Sequence, residues 1–402
     1  MSLNERPSSD RIQIAFFGKR NVGKSSLVNA IASQELSIVS DIKGTTTDPV
    51  SKAMELLPLG PVVLIDTPGY DDKGALGKLR IKRTLKILDK TDIAVLVADI
   101  NKGLTSVDYN FMESFKAKEI PFIIVLNKSD TAISEMQLLE NSIAVSAKNR
   151  TNIHELKEHI ARLIKPDAKK TRLVGDLIKK DDIIVLVTPI DEGAPKGRII
   201  LPQQQTIRDI LDTEAISVTV QPDQLGFTLR NLNKKPSLVI CDSQVFDKVN
   251  KIVPNDIPLT SFSILMARYK GFLNFALQGA YSINALKSGD NVLICEGCTH
   301  HRQCGDIGSV KLPKLLKNFT GKDLKIKNVS GTDFPEDLSP YSLILHCGSC
   351  MITDREIKER QKLAKSQGIP MTNYGVAIAY MNGILERSTE IFKIKGDSND
   401  IK

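Results

Sequence analysis

Up to about Lys165 the chain alternates short apolar runs with longer segments of helical periodicity. The runs are IQIAFFG, VVLID, IAVLVAD, PFIIVLNK and SIAVSA. Near-continuous apolar strands separated by helices indicate a mostly parallel α/β sheet covered on both faces. The segment KPDAKKTR, 165–172, is polar, holds a proline and precedes a new pattern, so a boundary is expected there. DIIVLVTPI, AISVTV and PSLVICDS then read as strands of a smaller α/β unit, and PQQQTIRDILDTE as a helix with Pro202 in its first turn. After about Met266 a third α/β unit follows, with strands DNVLICEG and YSLILH and the helix DREIKERQKLAKSQG. Thr353 and Glu356 form a capping-box pair at the start of that helix, and Gly368 then Pro370 close it. The expected domains are 1–170, 171–265 and 266–402, with no internal repeat visible in the sequence.

Composition adds limits. At 402 residues the chain is long for one core, and 25% charged with 41% hydrophobic residues is ordinary for a soluble protein. Tryptophan is absent and aromatics are few, which argues against a stacking platform for single-stranded nucleic acid. The net charge of +8 permits a polyanionic partner without requiring one. The basic stretch KLPKLLKNFTGKDLKIK, 311–327, reads as a solvated helix face with leucines turned inward rather than as an anion-binding patch. The start is polar and the apolar runs are too short to span a bilayer, so a cytoplasmic protein without a membrane partner is expected. In a reducing compartment the six cysteines are thiols or ligands rather than disulfides.

The first chemical signal is GKRNVGKS, Gly18–Ser25, between a strand and the helical SLVNAIA. In this context G-x-x-x-x-G-K-S is a phosphate-binding loop. Its glycines let backbone N–H groups face phosphate oxygens, Lys24 adds a cation at the outer phosphates, and the Ser25 hydroxyl suits Mg²⁺. Asn21, Val22, Gly23, Lys24, Ser25 and Ser26 form the expected phosphate-binding set. DIKGTTTDP follows, and Thr46 is expected to supply a hydroxyl to Mg²⁺. VVLIDTPG ends a strand at Asp66, whose carboxylate can hold the metal's water shell, while the Gly69 amide can meet the γ-phosphate. In NKSD, Asn127, Lys128 and Asp130 suit a guanine base. Asp130 accepts from the ring N–H and the exocyclic amine, and adenine would leave the carboxylate unpaired. Ser146, Ala147 and Lys148 back the base. Expected catalytic groups are Lys24, Thr46, Asp66 and Gly69.

In this order, each at a strand end, the motifs of residues 11–165 resemble the translation-factor-like GTPases, and within them the TrmE and Era group. That resemblance implies a potassium site at Asn21, Ser40, Ile42 and Thr45. The residue after DTPG is Tyr70, so the catalytic glutamine of Ras-type switches is missing, and K⁺ could neutralise charge between the phosphates in place of an arginine finger. The alternative is that Asn21 only orders the loop.

The second signal is metal-like. CEGCTHHRQCGDIG places Cys298 and His300 after one apolar strand, and His346-Cys347-x-x-Cys350 follows another. In a parallel sheet the carboxyl ends of neighbouring strands face one crevice, so the two segments could bring three thiolates and one or two imidazoles together. The helix starting near Asp354 favours an anionic cluster at its positive end. By residue chemistry, three cysteines and a histidine suit structural zinc, three cysteines with an open fourth position suit a 4Fe–4S cluster, and a redox dithiol comes third. Cys241, Cys295, His154 and His159 read as packing or surface residues.

A GTPase region, a middle α/β region and a terminal C-x-H…H-C-x-x-C signature together resemble the HydF family, GTPase scaffolds of iron–iron hydrogenase maturation, over essentially the whole chain. The resemblance implies a 4Fe–4S cluster on Cys298, Cys347 and Cys350, with His300 and His346 as candidate fourth ligands. It also implies GTP, Mg²⁺ and K⁺ as cofactors, a diiron precursor as transient cargo, and a homodimer formed through the middle domain. Its implied partners are the apo iron–iron hydrogenase and two radical-SAM maturases. The competing reading is an RNA- or ribosome-associated GTPase carrying a zinc site.

Overall fold

A computed structural model describes residues 8–32, 40–42, 50–57, 59–69, 84–132, 139–164, 171–190, 199–297, 307–331 and 333–394, with 40–42 and 394 as backbone only. The chain divides into two compact units, Met1–Ala168 and Lys169–Lys402.

The first unit is built on one seven-stranded sheet. Its strands are β1 Ile12–Phe17, β2 Ser40–Ile42, β3 Val50–Leu56, β4 Gly60–Asp66, β5 Ile93–Asp99, β6 Phe122–Asn127 and β7 Ser142–Ala144. They lie in the order β2-β3-β4-β1-β5-β6-β7. From β4 to β7 all pairs are parallel, and β2 and β3 add an antiparallel edge. Alternation along β1 supplies two cores. Ile14 and Phe16 join Leu27, Ile31 and Leu156 on one face, and Ala15 and Phe17 join Phe111 and Phe115 on the other. Each fully buried Ile, Leu or Phe among them contributes about 1.5–3 kcal/mol. With β1 buried on both faces, its carboxyl end is held rigidly where the phosphate loop begins.

The second unit holds two four-stranded, fully parallel sheets. The first consists of β8 Ile183–Val187, β9 Ile216–Val220, β10 Leu238–Cys241 and β11 Leu259–Ser261, in the order β11-β10-β8-β9. The second consists of β12 Asn291–Glu296, β13 Lys325–Ser330, β14 Leu343–His346 and β15 Met371–Asn373, in the order β13-β12-β14-β15. Both run second, first, third, fourth, which is an internal repeat hidden from the sequence reading. Each repeat ends alike. Ser261 caps the helix Phe262–Tyr269 by accepting from the Ile264 N–H, and Asn373 caps the helix Tyr374–Met381 by accepting from the Val376 N–H.

The repeats are interlocked. The helix Leu273–Tyr281 packs on β15 of the other repeat, and the helix Leu385–Ile394 packs on β11. Arg387 of the latter helix donates to Asn250 Oδ1 at 2.6 Å, to the Val253 carbonyl at 2.9 Å and to the Pro254 carbonyl at 2.7 Å. One continuous core runs from Leu173 to Phe392. The boundary expected at 265/266 falls inside the helix Phe262–Tyr269, where Leu265 and Met266 are buried in that common core.

Local signals mostly decide the elements. Pro202 lies in the first turn of the helix Leu201–Leu211. Thr353 caps the helix Asp354–Ser366 by accepting from the Glu356 N–H, while the Glu356 carboxylate turns to Arg360 instead of completing the capping box. The basic stretch 311–327 divides: the helix Leu312–Thr320 buries Leu312 and Leu316, Gly321 ends it at φ +67°, and β13 begins at Lys325. No helix among the described residues is long and apolar enough to cross a membrane.

Candidate functional site

The phosphate loop leaves β1 through Gly18, at φ 150°, where a Cβ would lie 2.2 Å from the Val97 carbonyl oxygen. Asn21 is exposed in the left-handed region at φ 62°, and Gly23 has φ 92°. A Cβ on Gly23 would meet Asn127 Nδ2 at 2.3 Å, so these glycines are dictated by close approach as well as by dihedral angle. Val22 is buried and its carbonyl accepts from Asn127 Nδ2 at 2.9 Å. This ties the phosphate loop to the carboxyl end of β6. Lys24 is buried, and its Nζ donates to the carbonyls of Gly18 and Lys19 at 2.9 and 2.8 Å. Gly69 packs so near the loop that a Cβ there would lie 2.7 Å from the Arg20 nitrogen.

The Ser25 hydroxyl donates to Asp66 Oδ2, and the other carboxylate oxygen of Asp66 is buried without a hydrogen-bond partner among the described residues. Burial raises the Asp66 pKa, against the Ser25 hydrogen bond and the charges of Lys24 and Lys52. A hydroxyl beside an unsatisfied carboxylate oxygen is a donor set that fits a hydrated Mg²⁺. Ser25 and Asp66 would hold that ion, which supplies charge neutralisation at the phosphates when bound. Ser26 is exposed beside Ser25 at the helix start. Thr45, Thr46 and Tyr70 lie outside the described residues, and Ser40 and Ile42 lie on β2 with backbone alone described.

The loops that follow β6 and β7 form one network. Asn127 Oδ1 accepts from the Ala147 N–H at 3.1 Å. Lys128, at φ 70°, sends its ammonium to Asp99 Oδ2 at 2.7 Å. Buried Ser146 donates to Asp130 Oδ1 at 2.6 Å, and this bond outweighs desolvation to lower the pKa of the exposed Asp130, with further help from the Lys148 charge. Asp130 is therefore an ionised acceptor oriented by Ser146.

In the second unit β12 and β14 are neighbours, with Cys295 paired to His346. The chain continues from β14 into a turn carrying Cys347 and Cys350, with Ser349 at φ 60°. Cys347 Sγ accepts from the Gly297 N–H at 3.0 Å and from the Ser349 N–H at 3.5 Å. Burial raises the Cys347 pKa, opposed by those two N–H groups and by the Arg360 charge. Backbone N–H groups aimed at sulfur suit a thiolate held by a metal. Cys298 and His300 lie outside the described residues. Among the described residues no group of three His, Cys, Asp or Glu comes together to hold a metal.

His346 is fully buried. Its Nε2 lies 2.9 Å from Arg360 Nη1, and its Nδ1 lies 3.0 Å from the Cys347 carbonyl and 3.1 Å from Ser349 Oγ. Burial first, and Arg360 second, lower its pKa to about 3, so the ring is neutral. Cys241 and Cys295 are buried in the core, and His154 and His159 are exposed. Sequence reasoning missed two buried cations near the turn. Arg360 is one. Lys270 is the other, 1% exposed, bonded to the Ile352 carbonyl at 3.0 Å and to Asp354 Oδ1 at 2.7 Å. Their distance along the chain from the cysteines leaves no local signal.

Residues 13–128 match the family model described as 50S ribosome-binding GTPase. Residues 173–271 match that of the hydrogen maturase F dimerization domain, and residues 274–391 that of the hydrogen maturase F tetramerization domain. The chain is 36% identical over 177 residues to GTPase Der of Wolinella succinogenes, covering 40% of this chain and 37% of Der. It is 39% identical over 134 residues to tRNA modification GTPase MnmE of Helicobacter pylori, covering 33% of this chain and 29% of MnmE. The matches thus span well under half the length of these two relatives. The solved structure of Aquifex aeolicus Era bound to GDP.AlF4- aligns with a TM-score of 0.32 at 19% identity, covering 52% of this chain and 92% of Era. The first unit contains a GTPase domain. The two maturase models together take up more than half of the polypeptide and meet near residue 272, so this chain belongs to the hydrogen maturase F family.

Proposed function

We propose that the protein is a GTP-hydrolysing scaffold of iron–iron hydrogenase maturation. On this reading it carries a 4Fe–4S cluster on Cys298, Cys347 and Cys350 and delivers a diiron precursor to the apo-hydrogenase. Family membership supports the maturation role, and the GTPase domain supports the hydrolysis. The observation that carries the cluster reading is the 3.0 Å contact from the Gly297 N–H to Cys347 Sγ. Gly297 directly precedes Cys298, so this contact is what a shared centre for both segments requires.

Mg²⁺ on Ser25 and Thr46, and K⁺ on Asn21, Ser40, Ile42 and Thr45, belong to the same reading. The K⁺ charge between the phosphates stands in for an arginine finger, in a chain where Tyr70 takes the place after DTPG that a catalytic glutamine holds in Ras-type switches. Lys24 and the Gly69 amide bind the outer phosphates, and Asp130 with Ser146 selects guanine. Hydrolysis is slow and acts as a timer that loosens contacts with two radical-SAM enzymes. The protein works in the cytoplasm as an oligomer built on a homodimer, supported by the dimerization and tetramerization models.

Anaerobic iron reconstitution, followed by absorption and electron paramagnetic resonance with iron and zinc counted, tests the reading. Wild type takes up iron and Cys298→Ala does not, while Lys24→Ala loses GTP turnover and keeps its iron. Colourless protein holding zinc would overturn the cluster assignment.

A further inference from the structure

The buried network around His346 assigns a role to Arg360. A guanidinium carries donors only, so the 2.9 Å contact from Arg360 Nη1 makes His346 Nε2 the acceptor. The ring proton is then on Nδ1, whose partners are the Cys347 carbonyl at 3.0 Å and Ser349 Oγ at 3.1 Å. A carbonyl cannot donate, which agrees with the same tautomer. Arg360 is itself pinned: Nη2 donates to the Gly331 carbonyl at 2.7 Å and to Glu356 Oε1 at 2.6 Å, and the guanidinium lies 5.1 Å from the centroid of the Phe334 ring. Both Arg360 and His346 are buried, at 4% and 0% exposure. The neutral ring has one lone pair in its plane, on Nε2, and Arg360 takes it.

We propose that Arg360 is a positioning residue that locks His346 as its Nδ1–H tautomer, withholding this histidine from the metal while the ring holds the Cys347 turn by its carbonyl. The lock itself needs no cluster; its bearing on ligation rests on Cys347 being a ligand. In this arrangement the fourth position of the centre is left to a group other than His346. Ser349 closes the network, since its N–H meets Cys347 Sγ at 3.5 Å while its hydroxyl faces the ring.

The test begins with the metal-free full chain labelled with ¹⁵N-histidine. The chain has five histidines, and His346→Gln identifies the signal. Long-range ¹H–¹⁵N spectra are expected to give His346 as a single neutral Nδ1–H tautomer. An Nε2–H tautomer, or a mixture of the two, would overturn the lock whatever the fate of the cluster reading. Arg360→Met is expected to lose the single-tautomer signature, and Arg360→Lys, which keeps a donor, to regain it. After anaerobic iron loading, pulsed electron paramagnetic resonance of the reduced wild type is expected to show no nitrogen coupling that ¹⁵N-histidine labelling moves and His346→Gln removes. Finding such a coupling would place the ring on iron and overturn the proposal. Should no variant take up iron while the tautomer holds, the cluster reading fails and the lock stands.

Discussion

Gly279 on the helix Leu273–Tyr281 lies against Met371 at the start of β15, so close that a Cβ at Gly279 would come 2.1 Å from the Met371 carbonyl oxygen. The obstacle is backbone, which cannot swing aside. Gly279→Ala is expected to destabilise the second unit by about 1–3 kcal/mol through overpacking. Urea unfolding followed by circular dichroism measures it, and an unchanged midpoint would contradict the close approach.

Arg387 crosses between repeats in the same way. Its four bonds to Asn250, Val253 and Pro254 hold the loop that leads into β11. Arg387→Met leaves these acceptors to water and removes a charged donor, at a cost of about 1.5–3 kcal/mol. Because one core serves both repeats, the loss is expected to lower a single transition for residues 169–402. Calorimetry resolving separate transitions for the two repeats would refute the shared core.

Asp66 gives a pH dependence. Its carboxyl has a pKa raised by burial, so without Mg²⁺ it ionises less readily folded than unfolded. The unfolded chain then binds fewer protons at this group. Stability contributed by the protonated carboxyl is full below the unfolded pKa and is lost as pH rises through the raised folded value. Asp66→Asn removes that loss, so in chelator at neutral pH the variant is expected to be slightly more stable than wild type. It should also lose the thermal stabilisation that Mg²⁺ with GTP gives the wild type. A variant less stable in chelator would contradict the sign.

Asp130→Asn keeps the size of the side chain and removes the charge that two guanine donors need. GTP affinity is expected to fall by about a hundredfold or more, because a donor of the base then faces an amide N–H₂. Isothermal titration with GTP and with ATP checks both the loss and the narrowed preference. Unchanged affinity would remove Asp130 from base recognition.

Asn21 stands exposed at the top of the phosphate loop. If it helps hold K⁺, hydrolysis in potassium buffer exceeds that in sodium by roughly tenfold, the scale of one added charge contact, and Asn21→Ala removes the difference. Equal rates in the two buffers for wild type would leave Asn21 as a loop-ordering residue.

The first unit was legible because its chemistry is local. GKRNVGKS, DTPG, NKSD and SAK each sit at the carboxyl end of a strand whose apolar run is plain in the sequence. The antiparallel edge is not legible in the sequence, since β3 reads VSKAMEL and its pattern is half polar. The repeat in the second unit is not legible in the sequence for a related reason. Ile257–Phe262 reads IPLTSF and Ile369–Tyr374 reads IPMTNY, but the segments around them share a pattern and few identities. What the two stretches have in common is a buried strand and a capped helix, and many residues satisfy that.

Sequence alone determined the strand cores, the phosphate-loop motif between a strand and a helix, and the place of the His346-Cys347 motif at a strand end, because each depends on neighbours within a turn or a strand. Only the tertiary structure decided that the two later regions share one core, since the swapped helices meet their strands far along the chain. Only it decided the state of His346, whose partner Arg360 lies 14 residues away on a helix. A hydrogen bond is set by where a donor ends up in space, and for a residue folded back from a separate helix no local pattern records that place.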